Sequence, residues 1–267
     1  MPLFHLVLVA LIQGITEFLP ISSSGHLILL PKLSGLDDQG PVIDVAVHVG
    51  TLVAVVIYFW QDVRKGLLGL PHLACGHLDT EGARLALGLV IATIPTVILG
   101  AVLHFSGLSD ALRSTTVIGW TMLIFGIVLY IADQKGAEVK SAGDWGLRDA
   151  LIMGLWQMIA LIPGTSRSGI TITGARQLGY TRSDGARIAM LMSIPTILAS
   201  GVLLGAEVAV EANTALMRDG IIAAGLAFLS ALAALALMMR LLKSVSFTPY
   251  VIYRVILGII LLAIAYS

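Results

Sequence analysis

The stretch that decides the fold is Gln13-Gly-Ile-Thr-Glu17-Phe-Leu-Pro20-Ile-Ser-Ser-Ser-Gly-His26. It lies within an apolar N-terminal region, residues 3–31, and it places an acid and a proline in the middle of that region. Such an interruption indicates two short helices joined by polar backbone, which survives inside a bilayer only where protein or a wet cavity surrounds it. We therefore interpret residues 3–31 as a re-entrant helix hairpin. The alternative, a secretory signal peptide, lacks its basic n-region here.

The composition of the whole chain supports a membrane setting. Of 267 residues, 57% are apolar and only 12% are charged, and the mean hydropathy is +0.95. A soluble domain carries about 25% charged residues, so a cytosolic enzyme, a secreted domain and a disordered chain are all excluded. Sixteen basic residues balance sixteen acidic ones, which gives no basic excess for nucleic acid. The single cysteine excludes an internal disulfide.

Six runs are long and apolar enough for membrane helices, which need about 20 mostly apolar residues each. They are residues 45–61, 85–109, 114–132, 188–206, 220–239 and 250–266. The last run contains Arg254, which we expect to pair with a carbonyl or with a lipid headgroup phosphate. A second broken region, residues 150–178, contains Pro163 and Arg167 and reads as a second re-entrant hairpin. The predicted fold is an all-α polytopic membrane protein with six transmembrane helices and two re-entrant hairpins.

The basic residues of the loops predict the orientation. Loops 61–84, 133–149, 179–187 and 240–249 fall on one face and are rich in Lys and Arg, whereas the other face has only Lys32, Arg113 and Arg218. Basic loops stay in the cytoplasm. The first hairpin therefore enters from outside, the second enters from the cytoplasm, and the C-terminus is outside.

A weak internal repeat divides the single membrane domain, residues 1–267, into two halves. Ala10-Leu-Ile-Gln-Gly14 recurs as Ala150-Leu-Ile-Met-Gly154, and Ser24-Gly25 recurs as Ser168-Gly169. The first repeat is residues 1–132, with the hairpin 3–31 and three spans. The second is residues 144–267, with the hairpin 150–178 and three spans. Three spans are an odd number, so the copies are inverted, and inverted repeats with broken helices place their site where the breaks meet. Residues 17–26 and 163–169 should therefore be in contact.

The first break carries an acid, hydroxyls and an imidazole. Glu17 shares a helix face with Gln13, and the two could hold a divalent cation, Mg²⁺ or Ca²⁺. Ser23 and His26 are three residues apart, which pairs a hydroxyl with a base. Alternatively, the serines Ser22, Ser23 and Ser24 only cap a helix while His26 satisfies a carbonyl.

The second break has the composition of an anion site. Its glycines permit a close approach of the backbone to a ligand, and its hydroxyls and N–H groups at a helix start can bind phosphate. Arg167 adds a planar fork that matches phosphate oxygens, although it could instead form a structural ion pair with Glu17. Asp44 and His48 either line the same cavity or sit at the interface. The predicted phosphate ligands are Ser22, Ser24, Gly164, Thr165, Ser166, Ser168 and Gly169.

These motifs give the chain a recognisable resemblance. It resembles the undecaprenyl-diphosphatase family, also called bacitracin-resistance proteins, in residues 13–20, 22–26 and 163–169, with further agreement at 193–195, 246–249 and 253–254. The acidic motif of that family is Glu/Gln-x-x-x-Glu, and here Gln13 takes its first position.

The resemblance implies hydrolysis of undecaprenyl diphosphate to undecaprenyl phosphate and inorganic phosphate, with the site open to the outer face of the bacterial plasma membrane. Glu17, Ser23, His26 and Arg167 are the expected catalytic residues: Ser23 is the nucleophile with His26 as its base, while His26 itself or water is the alternative attacking group. The expected partners are the polyprenyl diphosphate and membrane lipid, with a homodimer left open. The rival function is a polyprenyl-phosphate flippase or another alternating-access transporter.

Overall fold

The computed structural model describes residues 1–35, 37–211 and 214–267, in which the regular elements are helices. The α-helices are α1 (Leu3–Phe18), α2 (Ser23–Ser34), α3 (Gly40–Tyr58), α4 (Trp60–Ala74), α5 (Glu81–Ser106), α6 (Leu108–Ala111), α7 (Thr115–Lys135), α8 (Leu147–Met158), α9 (Arg167–Gln177), α10 (Arg182–Glu211), α11 (Thr214–Leu241) and α12 (Thr248–Tyr266). Short 3-10 helices cover Ala142–Asp144 and Ile159–Leu161.

Six helices of the described chain are long and apolar enough to cross a bilayer, and they coincide with the six predicted runs. They are α3, α5, α7, residues 182–203 of α10, residues 216–241 of α11, and α12. The all-α polytopic membrane fold is therefore confirmed.

Both broken regions form pairs of short helices, as predicted. In the first pair, α1 ends at Phe18, Leu19 is extended, and α2 begins at Ser23. The residue before a proline is pushed out of the helical conformation, so Pro20 accounts for the end of α1 at this point. In the second pair, α8 ends at Met158 and α9 begins at Arg167. That each pair enters and leaves the bilayer on one side remains a prediction.

One expectation about the loops was wrong. The predicted cytoplasmic loop 61–84 contains helix α4, which was missed because Arg64 and Lys65 interrupt its apolar residues. The helix is amphipathic, with exposed Leu67 and Leu68, and its buried Asp62 accepts a 2.9 Å hydrogen bond from Nε of Arg187 on α10. This contact ties α4 to the first turns of α10.

Small residues bring each hairpin close to a spanning helix. A Cβ at Gly14 of α1 would lie 2.7 Å from the carbonyl oxygen of Ala227 on α11. A Cβ at Gly154 of α8 would lie 2.5 Å from the carbonyl oxygen of Ala92 on α5. Close backbone contact at small residues is the usual means of packing helices in membranes, where lipid removes the hydrophobic driving force.

A charged cluster lies at the C-terminal end of α9. Arg176 of α9 is 1% exposed and forms a 3.3 Å ion pair with the buried Asp133 of α7. Arg182 of α10 binds the same carboxylate at 2.7 Å, and the backbone N–H of Phe247 donates to it at 3.1 Å. The cluster therefore fastens α7, α9, α10 and the start of α12 to one another.

Candidate active site

The turn before α2 is built around Ser22. Its φ is 74°, a left-handed conformation that costs an L-residue about 1–2 kcal/mol. Its hydroxyl accepts a 3.3 Å hydrogen bond from the backbone N–H of Gly25, so Ser22 is the N-cap of α2. The N–H groups of Ser23 and Ser24 then stand at the helix start, where no intrahelical carbonyl is available to them.

The turn before α9 has the same construction. Ser166 has a φ of 71°, and its hydroxyl accepts a 3.2 Å hydrogen bond from the N–H of Gly169. The N–H groups of Arg167 and Ser168 occupy the helix start. Each turn therefore presents the end of a helix dipole with free donors, which is the usual arrangement for binding phosphate.

The two breaks are in contact, as the inverted repeat predicts. The Arg167 guanidinium forms an ion pair with Glu17 through Nη2 and Oε1. The hydroxyl of Ser168 donates to the carbonyl oxygen of Leu19 at 2.9 Å. Arg167 also donates to the carbonyl oxygen of Ser193 on α10 at 3.2 Å. The acid of one hairpin and the cation of the other thus meet although 150 positions separate them.

Glu17 is the centre of the hydrogen-bond network. Its Oε2 accepts from Nε2 of Gln13 at 2.8 Å and from the hydroxyl of Ser23 at 2.6 Å. The carboxylate is 7% exposed, so its hydrogen bonds compensate for the loss of water. The arrangement places a proton acceptor directly on the Ser23 hydroxyl.

The predicted pairing of Ser23 with His26 is not formed. Nδ1 of His26 lies 2.7 Å from the carbonyl oxygen of Ser22, and Nε2 lies 2.6 Å from the hydroxyl of Tyr253 on α12. A carbonyl only accepts, so Nδ1 carries the proton and Nε2 of the neutral ring accepts from Tyr253. The spacing predicted a shared helix face, but Ser23 is the first residue of α2 and turns back to Glu17.

A cavity of about 580 Å³ joins these groups. Of the residues predicted from the sequence, Glu17, Ser22, Ser23, Ser24, Ser166 and Arg167 line it. Asp44 and His48 of α3 line it as well, which decides between the two alternatives for that pair. The opposite wall is apolar and includes Leu161, Ile197 and Val202.

Other predicted phosphate ligands lie behind the cavity wall. Thr165 is fully buried, and Ser168 is 4% exposed and bound to Leu19. Gly164 has a φ of 87° and packs so tightly that a Cβ would lie 2.2 Å from Oγ1 of Thr121. A Cβ at Gly169 would lie 2.9 Å from Nη1 of Arg254. These residues shape the turn and do not face a ligand in the cavity.

Sequence reasoning missed four polar cavity residues, namely Thr96, Gln157, Thr196 and Ser200. Gln157 lines the cavity with Thr96 and Thr196, and its Nε2 donates to Oγ1 of Thr196 at 3.1 Å. The repeat contained a signal for it, since Gln157 precedes Ser166 by the same nine positions that separate Gln13 from Ser22. Tyr253 was noted from the sequence only as part of the family resemblance, because no local pattern identifies a tyrosine in a spanning run as a hydrogen-bond partner of His26.

The predicted metal pair fits a divalent cation only in part. Within the described ranges no three His, Cys, Asp or Glu side chains gather into a metal site. Gln13 is fully buried, donates from its amide nitrogen to Glu17 and does not line the cavity, and its Oε1 has no hydrogen-bond partner. Glu17 does line the cavity, and Mg²⁺ commonly binds one carboxylate together with phosphates of the substrate. Glu17 therefore suits a cation that arrives with a diphosphate, and Gln13 does not.

Comparisons with known proteins identify the family of the chain. The model of the bacitracin resistance protein BacA family matches residues 6–260. An undecaprenyl-diphosphatase of Ruegeria pomeroyi is 76% identical over 267 residues, which is all of both chains. Proteins of the same name from Jannaschia sp. and Teredinibacter turnerae are 68% identical over all of both chains and 46% identical over 98% of each. The chain belongs to the bacitracin resistance protein BacA family.

Proposed function

We propose that this chain is a membrane phosphatase that hydrolyses undecaprenyl diphosphate to undecaprenyl phosphate and inorganic phosphate. One observation carries the mechanism: Glu17 contacts both the Ser23 hydroxyl of its own break and the Arg167 guanidinium of the other, at the wall of one cavity. The relatives are named as undecaprenyl-diphosphatases, which supports the hydrolase and not the flippase.

The cavity suits an amphiphilic substrate. Arg167 and four serines of the two helix starts line one part of it, whereas the part along α10 includes the apolar side chains of Ile197, Leu198 and Val202. Leu198 and Val202 in that part are 52% and 81% exposed on α10, so the cavity continues onto the lipid-facing surface. A diphosphate can occupy the polar part while an isoprenoid tail leaves along α10 into the bilayer.

Ser23 is the nucleophile of the proposed reaction. Its hydroxyl oxygen attacks the terminal phosphorus while its proton passes to Oε2 of Glu17, 2.6 Å away. The bond from that phosphorus to the bridging oxygen breaks, and the electron pair leaves on undecaprenyl phosphate. This assignment replaces His26 with Glu17 as the base, since the lone pair of His26 accepts from Tyr253.

Arg167 and the helix-start N–H groups stabilise the transferring phosphoryl group, whose negative charge is the main obstacle in phosphoryl transfer. In the second step, water attacks the phosphoserine and the bond from phosphorus to Ser23 Oγ breaks. Glu17 returns its proton to that oxygen, and the water loses a proton to solvent. Inorganic phosphate then leaves through the cavity.

A divalent cation remains part of the proposal. Glu17 and the substrate phosphates would hold it, and it would neutralise charge on the diphosphate. Because Gln13 does not line the cavity, the proposed ligand is Glu17 alone. Phosphate release measured with and without a chelator tests this part of the proposal.

The proposed location is the bacterial plasma membrane, with the cavity open to the outer side. Asp44 and His48 lie near the start of α3, and Ser200 to Val202 lie in the second half of α10. Under the orientation set by the basic loops, both of these segments are in the outer half of the membrane. A second copy of the chain stays a predicted partner, which a mass measurement in detergent tests.

Phosphate release by the purified chain in detergent tests the proposal, since a carrier needs two compartments and releases no phosphate. We expect Ser23→Ala to reduce release by a factor of about 10⁴–10⁶, as removal of a nucleophile does in other hydrolases. Ser244→Ala, an exposed serine that bonds only to its own segment, is the matched control and should keep full activity.

Acid quenching of wild type should trap phosphate on Ser23, detected by peptide mass spectrometry. Phosphate found on His26, or oxygen exchange without any covalent species, would contradict Ser23 as nucleophile. Near-normal release by Ser23→Ala would contradict it as well.

A further inference from the structure

Arg254 of α12 is fully buried and belongs to neither hairpin, yet its guanidinium contacts both breaks. It donates to the carbonyl oxygens of Thr165 at 2.8 Å and Gly164 at 3.2 Å in the second break. It also donates to the carbonyl oxygen of Pro20 in the first break at 3.4 Å. The side chain therefore lies behind the point where the two turns meet.

The charge of Arg254 is compensated only by carbonyl dipoles. Within the described chain no carboxylate lies within ion-pair distance of its guanidinium, and its Nε has no hydrogen-bond partner. A buried charge without a counter-ion is costly, and in a membrane segment it marks a functional site. An anion bound on the other side of the turns would supply the missing negative charge.

The peptide geometry shows what these bonds do. The peptide bonds of the described chain are all trans, so the N–H of a peptide points away from its C=O. The C=O of Thr165 points to Arg254, and the N–H of Ser166 in the same peptide therefore points away from Arg254. Ser166 lines the cavity and Arg254 does not. The bond to Thr165 thus aims the N–H of Ser166 toward the space for the phosphate.

Arg176 offers an internal contrast. It is the other fully buried arginine, and it also donates to carbonyl oxygens, those of Tyr180, Asp133 and Gly136. Arg176, however, is ion-paired with Asp133, and none of these carbonyl oxygens belongs to either break. Its charge and position fit a structural fastening, whereas those of Arg254 fit a phosphate site.

We infer that Arg254 is a positioning residue for phosphate binding, which holds the turn at 164–166 so that the amide of Ser166 faces the diphosphate and adds an uncompensated positive charge behind that amide. The inference deepens the proposed function and rests on it for the identity of the substrate. It predicts that replacing Arg254 weakens the binding of any diphosphate, whether or not the bound molecule is then cleaved.

Binding of inorganic pyrophosphate to the purified chain in detergent, followed by calorimetry, tests this role. A lysine keeps the charge, but its single ammonium group cannot donate to carbonyl oxygens of both breaks as the planar guanidinium does. We expect Arg254→Lys to raise the Kd for pyrophosphate at least about tenfold, the effect of losing one charge-assisted hydrogen bond. Its KM for undecaprenyl diphosphate should rise by a similar factor.

Arg176→Lys is the matched control, because Arg176 is also a buried arginine that donates to carbonyl oxygens, but those carbonyls lie outside the two breaks. It should lower the melting temperature and leave the Kd for pyrophosphate within about twofold of wild type. An unchanged Kd in Arg254→Lys, or an equal increase in Arg176→Lys, would overturn the inference. Weakened pyrophosphate binding by Arg254→Lys in a chain that releases no phosphate would instead leave the inference standing and remove the proposed function.

A measurement on wild type does not depend on the folding of any variant. Pyrophosphate should slow hydrogen exchange at the amide of Ser166, measured by mass spectrometry of peptides that span residues 160–170. Unchanged exchange at this amide in saturating pyrophosphate would contradict the inference.

Discussion

The two breaks share a backbone and differ in what they carry. Ser22 and Ser166 both have a positive φ, and the hydroxyl of each accepts from the N–H of the glycine three residues later. A second serine hydroxyl lies 3.4 Å from that of Ser22 and 3.1 Å from that of Ser166. The residue after the cap is Ser23 in the first break and Arg167 in the second. Equivalent positions thus carry the proposed nucleophile and the cation, and both side chains contact Glu17.

The difference continues around the cap. The first break has Glu17 before it and His26 four residues after it, while the corresponding position in the second break is Ile170. The same turn therefore forms two helix starts, and the residues around the first of them include the acid, the hydroxyl and the imidazole. This comparison supports the proposed inverted repeat of residues 1–132 and 144–267.

Removing the cation that only the second break carries is the strongest way to break the comparison. We expect Arg167→Ala to lower turnover by about 10³–10⁵, the range found for arginines that stabilise phosphoryl transfer. The turnover of Arg167→Lys should lie between those of wild type and Arg167→Ala, because lysine keeps the charge but lacks the planar guanidinium with its several donors. Phosphate release in detergent measures both, with the melting temperature as a check of folding. Near-normal turnover by Arg167→Ala would remove this residue from the mechanism.

The imidazole that only the first break carries should matter less. Because His26 is held by Ser22 and Tyr253, we treat it as a positioning residue and expect His26→Asn to reduce turnover about 10–100-fold, the cost of a misplaced group. Tyr253→Phe keeps the stacked ring and loses the hydroxyl, so its effect should be smaller.

The double variant tests whether the two residues act as a unit. If they do, His26→Asn with Tyr253→Phe should be no worse than His26→Asn alone. Additive losses would show that the two act independently. A loss by His26→Asn as large as that of Ser23→Ala would show that the imidazole takes part in the chemistry.

The smallest expected effect concerns the feature that the breaks share. Alanine at Ser22 or Ser166 loses the cap, worth about 1 kcal/mol, and keeps the left-handed conformation. Replacing the cap by glycine costs only a few tenths of a kcal/mol, and glycine adopts a positive φ without strain. We therefore expect each glycine variant to exceed the matching alanine variant by about 1–2 kcal/mol in unfolding free energy. Denaturant unfolding in detergent measures the difference, and a gain at only one break would show that the two turns are not equivalent.

The broken regions could be predicted from the sequence because they violate a strong rule. Polar residues such as Glu17 and Arg167 in apolar runs have few tolerated surroundings in a bilayer, so their presence already indicated a protein-lined site. The pairing within that site was harder to predict. Ser23 and His26 share a helix face by spacing, but the ends of their side chains are directed by Glu17 and Tyr253, which come from other helices.

Glycines and hydroxyls of the second break show the same limit. Gly164, Thr165, Ser168 and Gly169 have the composition of a phosphate loop, yet the turn rotates them toward α1, α7 and α12. A list of residue types does not say which side of a turn faces the ligand. That depends on the positive φ of Ser166 and on the carbonyls that Arg254 holds.

The sequence alone determined the six spans and the two breaks, because hydrophobicity and the cost of buried charge act on each segment separately, and the class of chemistry followed from the family resemblance of its motifs. Only the tertiary structure decided which partner each polar group takes. Glu17 meets Arg167, and Arg254 meets the carbonyls of both breaks, through contacts across 150 and 89 or more positions. Such pairings depend on how helices pack in three dimensions, and no local pattern contains that information.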